Sequence, residues 1–194
     1  MKATLENLVR AFIGESQARN RYTFYASVAR REGFEQIAEV FSLTADNERE
    51  HAETLFELIK ELKEGLKEEV RELKVEVVAP LTLGTTVENL KAAIAGENYE
   101  RSEMYPKFAE IAEREGLPEV ASRLRAIAKA EHHHEERFKK LLREVEGGTV
   151  FKKAKAVWWV CRKCGYVHFG TEPPDKCPSC GHSRAYFQVK CEEY

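Results

Sequence analysis

The chain has 194 residues, 43% hydrophobic and 33% charged, enough for one substantial core and a small appendage. Its formal charge is −2 with Lys and Arg scattered, which gives no basic patch for nucleic acid. No apolar run approaches the roughly 20 residues of a membrane span, and Met1 to Glu6 reads as the start of an amphipathic helix, so a cytoplasmic protein is expected.

Residues 4 to about 146 read as helix nearly throughout, in four segments. Leu5, Leu8, Phe12, Glu15 and Tyr22 share one stripe of the first. The second presents Val40, Thr44, Glu48, His51, Leu55 and Leu58. Gly33 breaks these two into a hairpin. A longer connection follows at residues 67–86, and Thr85 with Glu88 forms a capping box that opens the third helix. That helix carries Leu90, Ala93, Glu97, Glu100, Met104, Phe108 and Ile111, and Pro106 is expected to kink it. Gly116-Leu117-Pro118 breaks the second hairpin, whose last helix carries Leu124, Ile127, Glu131, His134, Phe138 and Leu141. Two antiparallel hairpins joined by one long crossover make a ferritin-like four-helix bundle.

Acids and imidazoles on these apolar stripes repeat. Gly14-Glu15 recurs as Gly96-Glu97, 82 residues on, and Glu48-x-x-His51 recurs as Glu131-x-x-His134, 83 residues on. Residues three apart on a helix project to one side. One carboxylate from each of two helices plus Glu-x-x-His from each of the other two is a di-iron or di-manganese ligand set. Glu100 is a seventh candidate, one turn from Glu97, where the first half has Ala18. With Glu100 the acids carry five negative charges, within one unit of balancing two ferrous or two ferric ions. Glu50, Glu53 and Glu135 fall off the stripe and are expected to face solvent, as are His132 and His133. Tyr22 and Tyr105 read as core residues whose hydroxyls are candidates to bond the metal-binding carboxylates.

After Leu142 no leucine or isoleucine occurs, and Gly147-Gly148 marks a linker, so residues 1–148 and 149–194 are expected to be separate domains. The second is too small to hold together on apolar burial alone and needs a metal. Cys161-x-x-Cys164 and Cys177-x-x-Cys180 are two knuckles for one tetrahedral ion, with zinc and iron both compatible. Gly165, Gly181, Tyr166 and the dense aromatics lean toward iron; Cys191 is left over.

Taken together, Gly14-Glu15-Ser16 through Tyr22, Glu48-x-x-His51, Gly96-Glu97-x-x-Glu100, Glu103-Met104-Tyr105-Pro106, Glu131-x-x-His134 and the cysteine knuckles resemble the rubrerythrins over nearly the whole chain. The resemblance implies a non-haem di-iron peroxidase that reduces hydrogen peroxide to water, with a rubredoxin-like Fe(Cys)4 domain and zinc or manganese as possible substitutes. It implies that Glu48 and Glu131 bridge, that Glu97 and His134 hold one iron, and that Glu15 holds the other. Glu100 in the oxidised state and His51 in the reduced state would exchange as ligands to that second iron. It also implies a homodimer or higher homo-oligomer, fed by rubredoxin or an NAD(P)H-dependent reductase and usually passing electrons to a partner subunit. The rival readings are a ferroxidase that handles iron and a zinc-ribbon scaffold without enzymatic activity.

Overall fold

The structure is a computed structural model that describes residues 1–66 and 70–192. The first three residues expected in the long connection and the last two of the C-terminal segment lie outside the described residues. Two long helices, α1 (Lys2–Arg31) and α2 (Glu35–Glu64), pack along their length as a hairpin. Residues 70–85 run without regular structure to α3 (Thr86–Tyr99), which opens on the expected Thr85–Glu88 capping box. A π-helical turn, Glu100–Met104, joins α3 to α4 (Tyr105–Arg114), and α5 (Pro118–Glu146) packs against both. The fold is the expected ferritin-like bundle. The discontinuity expected at Pro106 takes the form of this wide π-turn, which ends as Pro106 enters the first turn of α4, where its missing N–H is tolerated.

Two apolar clusters fill the bundle, one above the other. One gathers Leu5, Leu8, Leu55, Ile59, Tyr105, Phe108 and Leu124. The other gathers Tyr22, Tyr25, Ile37, Phe41, Leu90 and Phe138, whose rings meet at centroid distances of 5.0–6.0 Å. The repeated acids occupy the level between them. No helix among the described residues is long and apolar enough to cross a membrane.

Beyond α5 a three-stranded antiparallel sheet, in the order β2-β1-β3, forms from β1 (Val157–Cys161), β2 (Val167–Gly170) and β3 (Phe187–Val189). Strand alternation turns Trp159 inward against Phe187, Cys161 and Cys177, while its neighbour Trp158 faces out beside Phe169. The buried indole donates to the Gly170 carbonyl at 3.0 Å. This unit leans on the start of α2. Arg162 Nη2 meets Glu39 Oε2 at 2.6 Å, and Phe34 stacks on Phe151.

Phe138 touches both Tyr22 and Phe41 in a fully buried position. Phe138→Ala is expected to destabilise the protein by about 3–5 kcal/mol in a urea titration.

Candidate metal centres

The helices bring the repeated ligands together as two overlapping groups. Glu15 from α1, Glu48 and His51 from α2 and Glu131 from α5 form one; Glu97 from α3, Glu131 and His134 from α5 and Glu48 from α2 form the other. Within each group the ligand atoms lie within 4.8 Å of one another. Glu48 and Glu131 belong to both. All five acids on the stripes, Glu100 included, are buried.

The donors are aimed at a shared centre rather than at each other. Glu15 Oε2, Glu48 Oε1, Glu97 Oε2, both oxygens of Glu131 and His134 Nδ1 are buried without a well-formed hydrogen bond. His134 Nδ1 faces Glu131, Glu48 and Glu97 oxygens at 2.8, 3.1 and 3.4 Å, more acceptors than one N–H can serve. His51 Nδ1 faces Glu131 and Glu48 at 2.9 and 3.0 Å, with Glu15 at 4.0 Å. Orphaned oxygens around two imidazoles fit a pair of hard-to-borderline divalent ions such as iron or manganese.

The tyrosines expected to support this set do so across the two halves. Tyr22 of the first half donates to Glu97 Oε1 of the second at 2.6 Å, and Tyr105 of the second donates to Glu15 Oε1 of the first. Each phenol thereby takes one oxygen of its carboxylate and leaves Oε2 for the metal. The spacing Glu15 to Tyr22 is seven residues and Glu97 to Tyr105 is eight. The extra residue is the π-turn, and the change of repeat offset from 82 to 83 was its signal in the sequence.

Glu100 stands on that turn and is the exception. It is buried, close enough that the charges of Glu97, Glu131 and Glu48 raise its pKa after burial itself, yet it belongs to neither group. The structure thus has His51 in the cluster and Glu100 beside it. His132, His133, Glu50 and Glu53 are exposed as expected. Glu135 is not: at 1% exposure it is buried, because Arg101 and Lys139 reach it from either side and neutralise it away from solvent. Arg137, half-buried on α5, was also unforeseen; it donates to Thr44 Oγ1 at 2.9 Å.

The four cysteine sulfurs converge as expected. Cys161 and Cys180 sulfurs are 3.8 Å apart and Cys164 and Cys177 sulfurs 3.6 Å apart, too far for disulfides. These are near the edge of about 3.8 Å that a tetrahedron with metal–sulfur bonds of about 2.3 Å requires. The two knuckles are built alike. Gly165 and Gly181 take positive φ, so the chain doubles back and their N–H groups bond the Cys161 and Cys177 carbonyls at 2.8 Å. The next N–H groups, of Tyr166 and His182, donate to the Cys164 and Cys180 sulfurs. Cys191 is exposed and apart.

Without metal the carboxylate site must balance its charge with protons. Burial, then the charges of Glu131 and Glu48, raises Glu15 well above the carboxylate range; burial, then Glu48, lifts Glu97 to about 8. Burial opposes the charged imidazoles, but the close carboxylates of Glu131 and Glu48, which accept from a charged ring, prevail and lift His51 to about 10 and His134 to about 12. Burial likewise opposes an ionised Glu48, and the two histidines overcome it, bringing it to about 2. Raised carboxyls stabilise the fold fully below their unfolded value of 4.5 and lose that contribution as pH rises through the folded value. The raised histidines lose theirs on the same side, above 6.5. Glu48 acts only on the acid side, where its contribution is lost below 4.5.

The rubrerythrin family model matches residues 6–142, and the rubredoxin-like domain of rubrerythrins matches residues 159–188. A Methanocaldococcus jannaschii protein carrying the rubrerythrin name is 66% identical over 100% of this chain and 96% of its own. Rubrerythrin-1 of Clostridium acetobutylicum is 48% identical over 98% of this chain and 96% of its own. Among solved structures, fully reduced, all-ferrous nigerythrin superposes with a TM-score of 0.64 at 33% identity, over 96% of this chain and 86% of that one.

The metal-free protein is expected to lose thermal stability from pH 5 to pH 9, by at least about 4 °C, equivalent to one or two kcal/mol in a chain of this length. Loading with iron or manganese should flatten that dependence, because the ions hold the ligands deprotonated. Calorimetry of both forms across this pH range checks it.

Proposed function

The chain belongs to the rubrerythrin family, and on that premise we propose that it is a peroxidase reducing hydrogen peroxide to water. One pairing carries the reading: a buried double carboxylate–histidine cluster and a four-thiolate site whose Cys164 is exposed lie in the same chain. Iron held by the carboxylate–histidine cluster would supply the two electrons that peroxide cleavage needs, and iron held by the four cysteines would supply one-electron chemistry.

The side chains do the rest. Glu48 and Glu131 span the two metal positions, Glu97 and His134 complete one, and Glu15 and His51 complete the other. Tyr22 and Tyr105 fix which oxygen of Glu97 and Glu15 faces inward. Glu100, held beside the groups, is the carboxylate that replaces His51 when the charge of the site rises. The apolar clusters on both sides keep bulk water from the centre while leaving the reaction its small substrate. Two protons must accompany the two electrons for each peroxide converted to two waters.

The cysteine unit, residues 149–194, serves as the electron port to the bundle, residues 1–148. We place the protein in the cytoplasm as a homodimer or higher homo-oligomer, with rubredoxin or an NAD(P)H-dependent reductase as donor. The sulfurs of Cys164 and Cys180 are the more accessible pair of the four and face that donor.

Reduced, iron-loaded protein is expected to reoxidise rapidly with hydrogen peroxide and slowly with oxygen in stopped-flow absorbance. Faster reaction with oxygen would favour the ferroxidase, and a native protein holding only zinc would sink both. Cys164→Ser should abolish steady-state turnover with a protein donor, yet leave peroxide reoxidation of the chemically reduced bundle largely intact. Glu100→Ala should slow peroxide turnover more than it lowers thermal stability.

A further inference from the structure

Glu135 is a buried carboxylate next to a metal-ligand histidine, and no metal role accounts for it. Both of its oxygens are committed. Arg101 Nε donates to Oε2 at 2.5 Å and Lys139 Nζ to Oε1 at 2.5 Å, so two cationic side chains already balance its charge. Arg101 is the residue after Glu100 and lies inside the π-turn. Its Nη2 also reaches Asn98 Oδ1 at 3.2 Å, while Ser102 Oγ donates to the Asn98 carbonyl at 2.6 Å. The turn is therefore tied back to α3 by two neighbours and outward to α5 by one ion pair.

The repeat shows what the pair is for. In the first half the position of Glu100 is Ala18, that of Arg101 is the exposed Arg19, and that of Glu135 is Ala52. That half has an unbroken α-helix. The extra carboxylate, the π-turn and the buried acid occur together in one half and are all absent from the other. A π-turn is rare and less favourable than the α-helix on either side, so an anchor outside its own helix is needed to hold it.

We propose that the Arg101–Glu135 pair is a positioning clamp for Glu100, fixing the π-turn to α5 so that the Glu100 carboxyl stands at the edge of both metal groups. It rests on the reading of Glu100 as a carboxylate that exchanges with His51. Arg101 and Glu135 touch neither metal nor substrate; they act through Glu100. Without the clamp the turn relaxes and Glu100 samples positions from which it no longer reaches the site.

The test is a mutant cycle in the full-length protein. Arg101→Gln and Glu135→Gln are each made in the native background and in Glu100→Ala. Two readouts are taken: the rate at which a chelator strips ferric iron from the oxidised carboxylate site, with zinc already in the cysteine site, and peroxide turnover of the iron-loaded protein. In the native background each change should speed loss of one of the two ferric ions and slow turnover, both on the order of tenfold, as for other groups that orient metal ligands. In Glu100→Ala neither change should do more than about twofold, since what the clamp positions is gone. Arg101→Lys, which keeps the ion pair, should recover most of the loss and serves if a glutamine variant folds poorly. Equal losses in both backgrounds would show that the pair acts through the fold or through His134 and would overturn the clamp, as would no loss in the native background. If the native protein did not turn over peroxide, the proposed function would fail, and ferric-iron loss from the air-oxidised protein would still decide the clamp.

Discussion

The structure depends on the electrostatic cost of placing five carboxylates and two imidazoles inside a helical bundle. An isolated buried charge is far too expensive for a protein of ordinary stability, so each must be matched by a cation, a hydrogen bond or a proton. Here the matching is collective. Two divalent ions would offset all but one of the five acids when bound, and in their absence protons on Glu15 and Glu97 and charged His51 and His134 take over. Metal binding and proton release are thus one event, and the bundle is at its most stable only when the site is filled or acidified.

That constraint explains the layering. Apolar clusters above and below seal the polar level, and the groups that remain inside it are those that can satisfy a carboxylate. Tyr22 and Tyr105 cross between halves to do this, so neither hairpin can present a complete site alone. The near two-fold arrangement is what makes Glu48 and Glu131 common to both metal positions. The departure from it, at the π-turn, puts one more acid beside the site than the symmetry requires.

The cysteine unit solves the same problem by different means. Its thiolates are stabilised by the ion they share and by N–H groups from two glycine-bearing knuckles, on a sheet too small to fold on apolar burial alone. It joins the bundle through a few specific contacts at the start of α2, Arg162 to Glu39 and Phe34 to Phe151.

The helices, both sets of metal ligands and the cysteine knuckles were legible in the sequence because each obeys a local period: three and four on a helix, Cys-x-x-Cys on a knuckle, and one repeat offset for the halves. Glu15, Glu48, His51, Glu97, Glu131 and His134 all met where those periods placed them. What the periods could not reveal were relations between helices. Glu135 read as a solvent-facing acid because its own helix says nothing of Arg101, which approaches from the π-turn of another. The tyrosines were recognisable as neighbours of carboxylates, but their exchange across the halves follows only from how the hairpins pack. Pro106 marked a break without telling its kind; the repeat offset held the answer, and only the tertiary structure made the extra residue visible as a widened turn with Glu100 upon it. Local spacing determined which residues gather in the buried cluster, and packing between helices decided that His51 lies within it and Glu100, on its widened turn, stands beside it.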